Sequence, residues 1–294
     1  MRKSFVSVLV EVDSAELADR VAAEAHSAGA AGLEERGSQL LIYAPVDRSE
    51  AVLQALRHCA GSAVGDATPV EDQDWSRTWR DGLTVVEISP RLAIRPSFLE
   101  HRGPAGQATL IIDPGQAFGT GGHASTRLAL GLLDQVAPNE VVASEVLDVG
   151  SGTGVLALAA LALGARRAVA HDLDPLAGEA IRANAAANGL SEGVLVFIGP
   201  VEAIGSRRFD IILANMLYTE LLPLLGPIAS RTRPRGIAIF SGLLEGERDA
   251  MERSLAGAGL DVEATRTETD TAGDCWLGLL TRCQPPRASG RAES

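Results

Sequence analysis

Three glycines in DVGSGTG, at Gly150, Gly152 and Gly154, follow the apolar run EVLDV and stand at the mouth of a second, VLALAALALGA. A chain that must turn sharply at the end of a strand and lay bare backbone against a ligand uses glycine, because a Cβ obstructs both the turn and the approach. Asp172 stands 22 residues beyond Gly150, at the end of the next apolar run, where a carboxylate can accept hydrogen bonds from both hydroxyls of a ribose. Glycine turn and carboxylate together point to an adenosine-containing ligand. A dinucleotide fingerprint needs G-x-G-x-x-G, whereas the residue three beyond Gly152 is Val155, so the spacing is G-x-G-x-G instead. An NAD(P)-linked oxidoreductase, and a binding module that keeps the pocket without turnover, stay open as alternatives on these residues alone.

Two further stretches carry polar groups where chemistry is plausible. In DPGQAFGTGGHASTRLALGLLD, from Asp113 to Asp134, four glycines, a phenylalanine, a histidine and hydroxyl residues precede an amphipathic run, as in a loop shaped around something. Asn215 ends the apolar run of IILANM; its amide could orient an amine or bind a cofactor, or it could cap the helix predicted in LYTELLPLL. His123 and Tyr218 are weaker candidates for orienting an amine.

The elements that position these residues follow from periodicity. Val6, Val8, Val10 and Val12 share one face of a strand; Asp13 and Glu16 resemble a capping pair for a helix carrying Leu17, Val21 and Ala25 and closed by Gly29. LEERGSQLLIYAPV predicts a hairpin about Gly37, and SEAVLQALRHCAG a second helix ending at Gly61. These elements make a small α+β domain over residues 1–66, with six basic and ten acidic residues. A joining segment over 67–108 carries Trp75 and Trp79, four apart as on one helical turn, which predicts an anchor to a core. Over 109–283, strands and helices alternate as in a parallel sheet covered by helices, and DVEATRTET and CWLGLLTRC predict a terminal antiparallel hairpin. QPPRASGRAES makes residues 284–294 a disordered tail.

Composition sets the outer bounds. At 294 residues and 46% hydrophobic the chain can bury a real core, and a net charge of −12 argues against holding nucleic acid by a broad phosphate-binding surface. Three cysteines without a C-x-x-C pair and five scattered histidines predict neither a disulfide framework nor a metal. The longest apolar run is about half of the roughly 20 residues of a membrane span, and the start lacks a signal-peptide core, so the expected compartment is the cytoplasm. The oligomeric state is not given by the sequence, and a monomer is the working expectation.

The G-x-G-x-G turn preceded by Asp148 is similar to that of S-adenosylmethionine-dependent methyltransferases of the Rossmann-like class. DPGQAFGTGGHASTRLAL, VLDVGSGTGVLALAALALGA, HDLDPLAGEAIRANAAANG, ANM and DWSRTW together resemble the ribosomal protein L-eleven methyltransferase family, PrmA. The resemblance covers Asp74 to Cys283; the first domain matches in position and topology but weakly in sequence. It implies a Rossmann-like class I methyltransferase domain of α/β class, preceded by a small N-terminal α+β domain that captures the ribosomal protein. It also implies methyl transfer from S-adenosylmethionine to amino groups of that protein, its lysine side chains and N-terminal amine; a methyltransferase of the same build acting on another protein's lysine or on a small amine is the alternative. Cofactor contacts implied by the family fall on Thr126, Gly150, Gly152, Asp172 and Asn215, with Phe118, Gly119 and Thr120 in a lid over the methionine end. Asn215 is then also the candidate catalytic residue. Many members have threonine and proline where this chain has Gly122 and Ala124; the changes leave Thr126 in place.

Overall fold

The computed structural model describes residues 5–12, 14–36, 39–70, 83–113 and 121–285. Asp13, Gly37, Trp75, Trp79 and the tail beyond 285, each given a part above, lie outside these residues. The chain divides into two compact units, Met1–Gly82 and Leu83–Ser294.

In the first unit, β1 (Phe5–Glu11), β2 (Gly32–Arg36), β3 (Gln39–Pro45) and β4 (Thr68–Val70) form an antiparallel sheet in the order β2-β3-β1-β4. Helices Ala15–Ser27 and Ser49–Ala60 lie between β1 and β2 and between β3 and β4. This is a split β-α-β arrangement. The two-residue period of β1 buries Val6, Val8 and Val10, which pack with Val21, Ile42 and Leu56. Among the described residues, Ser14 supplies a cap for the first helix, its Oγ accepting from the Leu17 amide at 3.3 Å. The unit runs past residue 66 because β4 pairs with β1, Phe5 opposite Val70. That strand has only three residues and one of them is proline, so periodicity does not reveal it.

The second unit begins with a three-stranded sheet: β5 (Val86–Ser89), β6 (Leu92–Arg95) and β7 (Ala108–Ile111). Beyond the helix Ala124–Gln135 come β8 (Glu145–Val149), β9 (Arg167–Asp172), β10 (Val194–Ile198), β11 (Phe209–Asn215), β12 (Thr232–Leu244), β13 (Leu260–Thr269) and β14 (Cys275–Cys283). These seven strands form one sheet in the order β10-β9-β8-β11-β12-β14-β13. The first five are parallel, and β14 runs antiparallel to both its neighbours, so the α/β class and the terminal hairpin are as the sequence predicts. Helix Val155–Ala162 is buried from Val155 through Leu161, which accounts for a sequence with no polar face. Its neighbour Pro175–Ala187 starts at Asp174, whose side chain accepts from the Leu176 amide at 2.9 Å.

Register decides what the sheet can position. Val149 lies opposite His171, Ala214 opposite Val149, and Asn215 opposite Ser241, so the carboxyl ends of β8, β9, β11 and β12 are level. The pairing of β12 with β14 shifts between Phe240 and Leu243, around Gly242 at φ +83°. A Cβ on Gly242 would stand 2.5 Å from the Met216 carbonyl oxygen and 2.9 Å from its nitrogen, so this bulge admits no side chain. Gly242→Ala is therefore expected to cost at least about 2 kcal/mol, combining left-handed strain with a backbone clash, and to lower Tm by several degrees. Gly246→Ala, where no atom lies within 4 Å of the new Cβ, should leave the melting curve nearly unchanged. Equal thermal stability of the two variants in calorimetry would remove the strain argument.

Candidate functional site

The level edge carries a cavity of about 500 Å³ whose wall includes Gly150, Gly152, Asp172, Asn215, Gly242 and Trp276. The sequence between β8 and the helix Val155–Ala162 folds as a turn with Gly150, Gly152 and Gly154 all at positive φ, between 53° and 82°. The turn delivers the Gly152 amide to Asp172, whose Oδ2 accepts at 2.9 Å, while the Asp174 amide donates to Oδ1 at 3.0 Å. The carboxylate is thereby held at the end of β9 with one lone pair on each oxygen left for a ligand hydroxyl. The cavity wall also includes Asp174 and Glu220, and among the described residues it contains no lysine or arginine. Such a site favours cations.

Asp148 lies behind the turn with no exposure to solvent. Its Oδ2 accepts from the Ala157 amide at 3.1 Å, and its Oδ1 is buried without a partner among the described residues. Burial pushes the carboxyl up to about 7, and the nearby Asp172 charge adds to the rise, while the Ala157 N–H opposes it.

On the opposite wall, two hydrogen bonds fasten the helix Ala124–Gln135 to the strand ends. Ser241 Oγ donates to the Ser125 carbonyl at 2.7 Å, and Asn215 Nδ2 donates to Thr126 Oγ1 at 3.2 Å. Asn215 lines the cavity, and with its amide nitrogen engaged it keeps Oδ1 as an acceptor. It does not cap the following helix, Tyr218–Leu221; there Glu220 Oε2 accepts from the Leu217 amide at 3.3 Å. His123 takes the capping position of helix Ala124–Gln135, accepting from the Ser125 amide at 3.2 Å, and also lines the cavity. Its ring meets Trp276 edge to face, centroids 4.7 Å apart, and the indole N–H donates to Asp270 Oδ2 at 2.7 Å. Tyr218, the other weak candidate, packs on an apolar cluster and is not part of the cavity wall.

Thr126, Gly150, Gly152, Asp172 and Asn215 are thus brought to one edge; Phe118, Gly119 and Thr120 lie outside the described residues. Trp276, Asp270, Ser241 and Gly242 were not singled out from the sequence. Trp276, Ser241 and Gly242 reach the site through β-register between segments far apart in the chain, and Asp270 reaches it from the turn between β13 and β14 through its bond to Trp276. Asn184 and Asn188 are further polar residues that periodicity hides. Asn188 accepts from the Ile111 amide at 2.8 Å and donates to the Ile111 carbonyl at 2.7 Å, while Asn184 accepts from the Asp113 amide at 3.1 Å. They hold the chain where the glycine-rich loop departs. Among the described residues no group of three or more His, Cys, Asp or Glu side chains is placed to hold a metal ion, and no helix is long and apolar enough to cross a membrane.

Comparison with known proteins decides the family. Residues 8–274 match the family model described as Ribosomal protein L11 methyltransferase (PrmA). The chain belongs to that family. It is similar to the Ribosomal protein L11 methyltransferase of Sorangium cellulosum, 33% identical over 98% of this chain and 99% of that one. The protein of the same name from Deinococcus radiodurans is 36% identical, over 87% of this chain and 91% of its own length. Among solved structures, a ribosomal protein L11 methylase from Lactobacillus delbrueckii subsp. bulgaricus superposes with a TM-score of 0.61 at 30% identity, covering 68% of this chain and 99% of that one. The seven-stranded sheet of the second unit is the Rossmann-like class I methyltransferase architecture.

The buried Asp148 gives the site a pH signature. An unfolded aspartate titrates near 3.9 and the folded one at about 7, so between these values the folded chain holds a proton that the unfolded chain lacks. This contribution to stability is fully present below about pH 4 and is lost as the pH rises through about 7. Asp148→Asn removes the dependence. The Tm difference, variant minus parent, should therefore be more positive at about pH 8 than at about pH 5; a pH-independent difference would contradict the buried-acid assignment.

Proposed function

We propose that the chain is an S-adenosylmethionine-dependent methyltransferase that modifies amino groups of ribosomal protein L11, its lysine side chains and N-terminal amine. The observation that carries the reading is the juxtaposition of the glycine turn, the clamped Asp172 and Asn215 on one cavity, in a member of the PrmA family. The cavity suits this cofactor in two respects. A Cβ on Gly150 would come within 3.1 Å of Met216 Sδ, narrowing the wall where a nucleoside would pass, and a wall that carries carboxylates and, among the described residues, no arginine favours a sulfonium cation.

Asp172 would hold the ribose hydroxyls, with Gly150 and Gly152 offering bare backbone along the ligand. Thr126 and Asn215 would stand toward the methionine end, with Phe118, Gly119 and Thr120 in the lid. The bound cofactor supplies an activated methyl group, so this chain's residues need mainly to align a neutral amine with it. A lysine amine of pKa near 10.4 costs on the order of 4 to 5 kcal/mol to hold neutral at pH 7. Met216, Leu217 and Trp276 provide apolar wall that disfavours the ammonium form. Asn215 Oδ1, oriented by the bond from Nδ2 to Thr126, would accept a hydrogen bond from the amine and turn its lone pair toward the methyl group. Asp174 and Glu220 draw the cationic side chain to the entrance.

Asp172→Ala and Asn215→Ala should separate binding from chemistry. Asp172→Ala is expected to weaken S-adenosylhomocysteine binding in calorimetry by roughly ten- to a hundredfold, the value of charge-assisted hydrogen bonds. Asn215→Ala should lower kcat for methylation of ribosomal protein L11 by more than it lowers cofactor affinity. Unchanged cofactor affinity in a folded Asp172→Ala variant, or tighter binding of NAD(H) than of S-adenosylhomocysteine to the parent, would overturn the cofactor assignment. The first unit is proposed to present the ribosomal protein, since none of its described residues forms a catalytic cluster. Removing residues 1–82 should leave S-adenosylhomocysteine binding nearly intact and largely abolish methylation at subsaturating substrate, because a tethered recognition surface supplies effective concentration. Full activity of the folded truncation would remove that role.

A further inference from the structure

Helix Ala124–Gln135 lies on one face of the terminal hairpin, and the contact is close because β14 carries Gly278 beneath it. A Cβ there would stand 2.9 Å from Leu132 Cδ1 and 3.2 Å from Leu128 Cβ. Register tells which hairpin residues share that face. Ala264 pairs with Leu280, Arg266 with Gly278 and Glu268 with Trp276, and directly opposed residues of an antiparallel pair project to the same side. Glu268 therefore stands next to Trp276, the hairpin residue that lines the cavity beside Asp172.

Arg127 meets Glu268 from the helix. It follows Thr126 and sits one turn beyond His123, to whose carbonyl its amide donates at 3.1 Å. Its Nε donates to Glu268 Oε1 at 2.7 Å, Nη2 donates to the same oxygen, and Nη1 donates to the carbonyl of Gly122. One planar guanidinium thus joins three segments: the helix, the hairpin and the residue before His123. Beside it runs a second link between helix and hairpin, the edge-to-face contact of His123 with Trp276. Neither Arg127 nor Glu268 lines the cavity, and both side chains are about a third exposed. Ion pairs so exposed add little to stability, so the contribution of this one lies in the geometry it imposes.

We propose that Arg127 and Glu268 are positioning residues for methyl transfer, acting through the wall that His123 and Trp276 form. The inference rests on the methyltransferase reading above. Thr126 accepts from Asn215 Nδ2, so a shift of the helix start against the hairpin moves His123 and Thr126 relative to Trp276 and disturbs the Asn215 amide as well. The Gly152–Asp172 bond joins other strands and is not tied to this pair. Loss of the pair should therefore fall on the alignment of amine and methyl group, where a misplacement of about 1 Å can cost on the order of a hundredfold in rate, and spare the ribose end.

The test compares the full-length parent with Arg127→Met, Glu268→Gln and the double variant; Glu268→Gln is isosteric and carries the comparison if Arg127→Met fails to fold. Each single substitution should lower kcat for methylation of ribosomal protein L11 by about five- to fiftyfold, with S-adenosylhomocysteine affinity in calorimetry within about twofold of the parent and Tm little changed. The double variant should lose no more than the more impaired single, because one link is broken either way. Arg127→Lys, which keeps the charge without the fork, should recover part of the loss. Hydrogen exchange reads the same link without a substrate: amides over residues 122–128 should exchange faster in both single variants, and those over 150–157 at the parental rate. A parent that binds S-adenosylhomocysteine yet leaves ribosomal protein L11 unmodified would refute the target reading, and exchange would then decide this proposal alone. The proposal is overturned by parental exchange over 122–128, by single variants with parental kcat, by rate losses that multiply in the double variant, or by a matching fall in cofactor affinity.

Discussion

The hydrogen bond from the Gly152 amide to Asp172 joins two neighbouring β-α turns, and the site depends on it more than on any other contact. It forms because β8 and β9 end level, with Val149 opposite His171, and because the turn between them and the ligand edge contains no Cβ at residues 150, 152 or 154. A second tie, from the Ser151 amide to the His171 carbonyl at 2.9 Å, repeats the link one residue away. Together they set the direction of the Asp172 carboxylate before any ligand arrives, which is where preorganisation is cheapest in entropy. Burial makes Asp148, behind the turn, hold its proton to about pH 7, and the Asp172 charge adds a smaller push in the same direction.

The wall facing this turn is assembled from residues remote in sequence. Ser241 and Asn215, neighbours across β12 and β11, each reach the first turn of the helix Ala124–Gln135, and their two bonds fix where Thr126 stands. Asn184 and Asn188 do the corresponding service for the strand that leads into the glycine-rich loop, imitating a sheet partner for Ile111 and Asp113. Both ends of that loop are thus held by side-chain amides and hydroxyls from the sheet and its covering helices.

These two sets of contacts explain which parts of the site could be read from sequence. The glycine turn, Asp172 and Asn215 were legible because each sits where an apolar run stops, and in a parallel sheet such stops fall on one edge. The terminal hairpin was legible from two strand-like runs with no helix between them. Trp276, Ser241 and Gly242 were not, since their importance comes from register across β11, β12 and β14. Tyr218 is the converse case: it follows Asn215 closely, yet it begins a short helix and packs on the apolar cluster, the structural role more usual for a lone tyrosine. In the first unit, the small strand β4 is not legible in the sequence because three residues carry no period.

The last strand of the sheet has an implication for how the molecule is made. Although β14 is the last strand among the described residues, it occupies an interior place, between β12 and β13, and pairs with both. While a nascent chain ends short of residue 275, β13 has no partner to join and β12 displays an open edge, a template for wrong pairing. Trp276 belongs to the same late strand, so the wall of the cavity beside Asp172 closes only when nearly all of the described chain has emerged. Synthesis order thus makes the second unit an all-or-none proposition: no shortened product of translation can own a finished site.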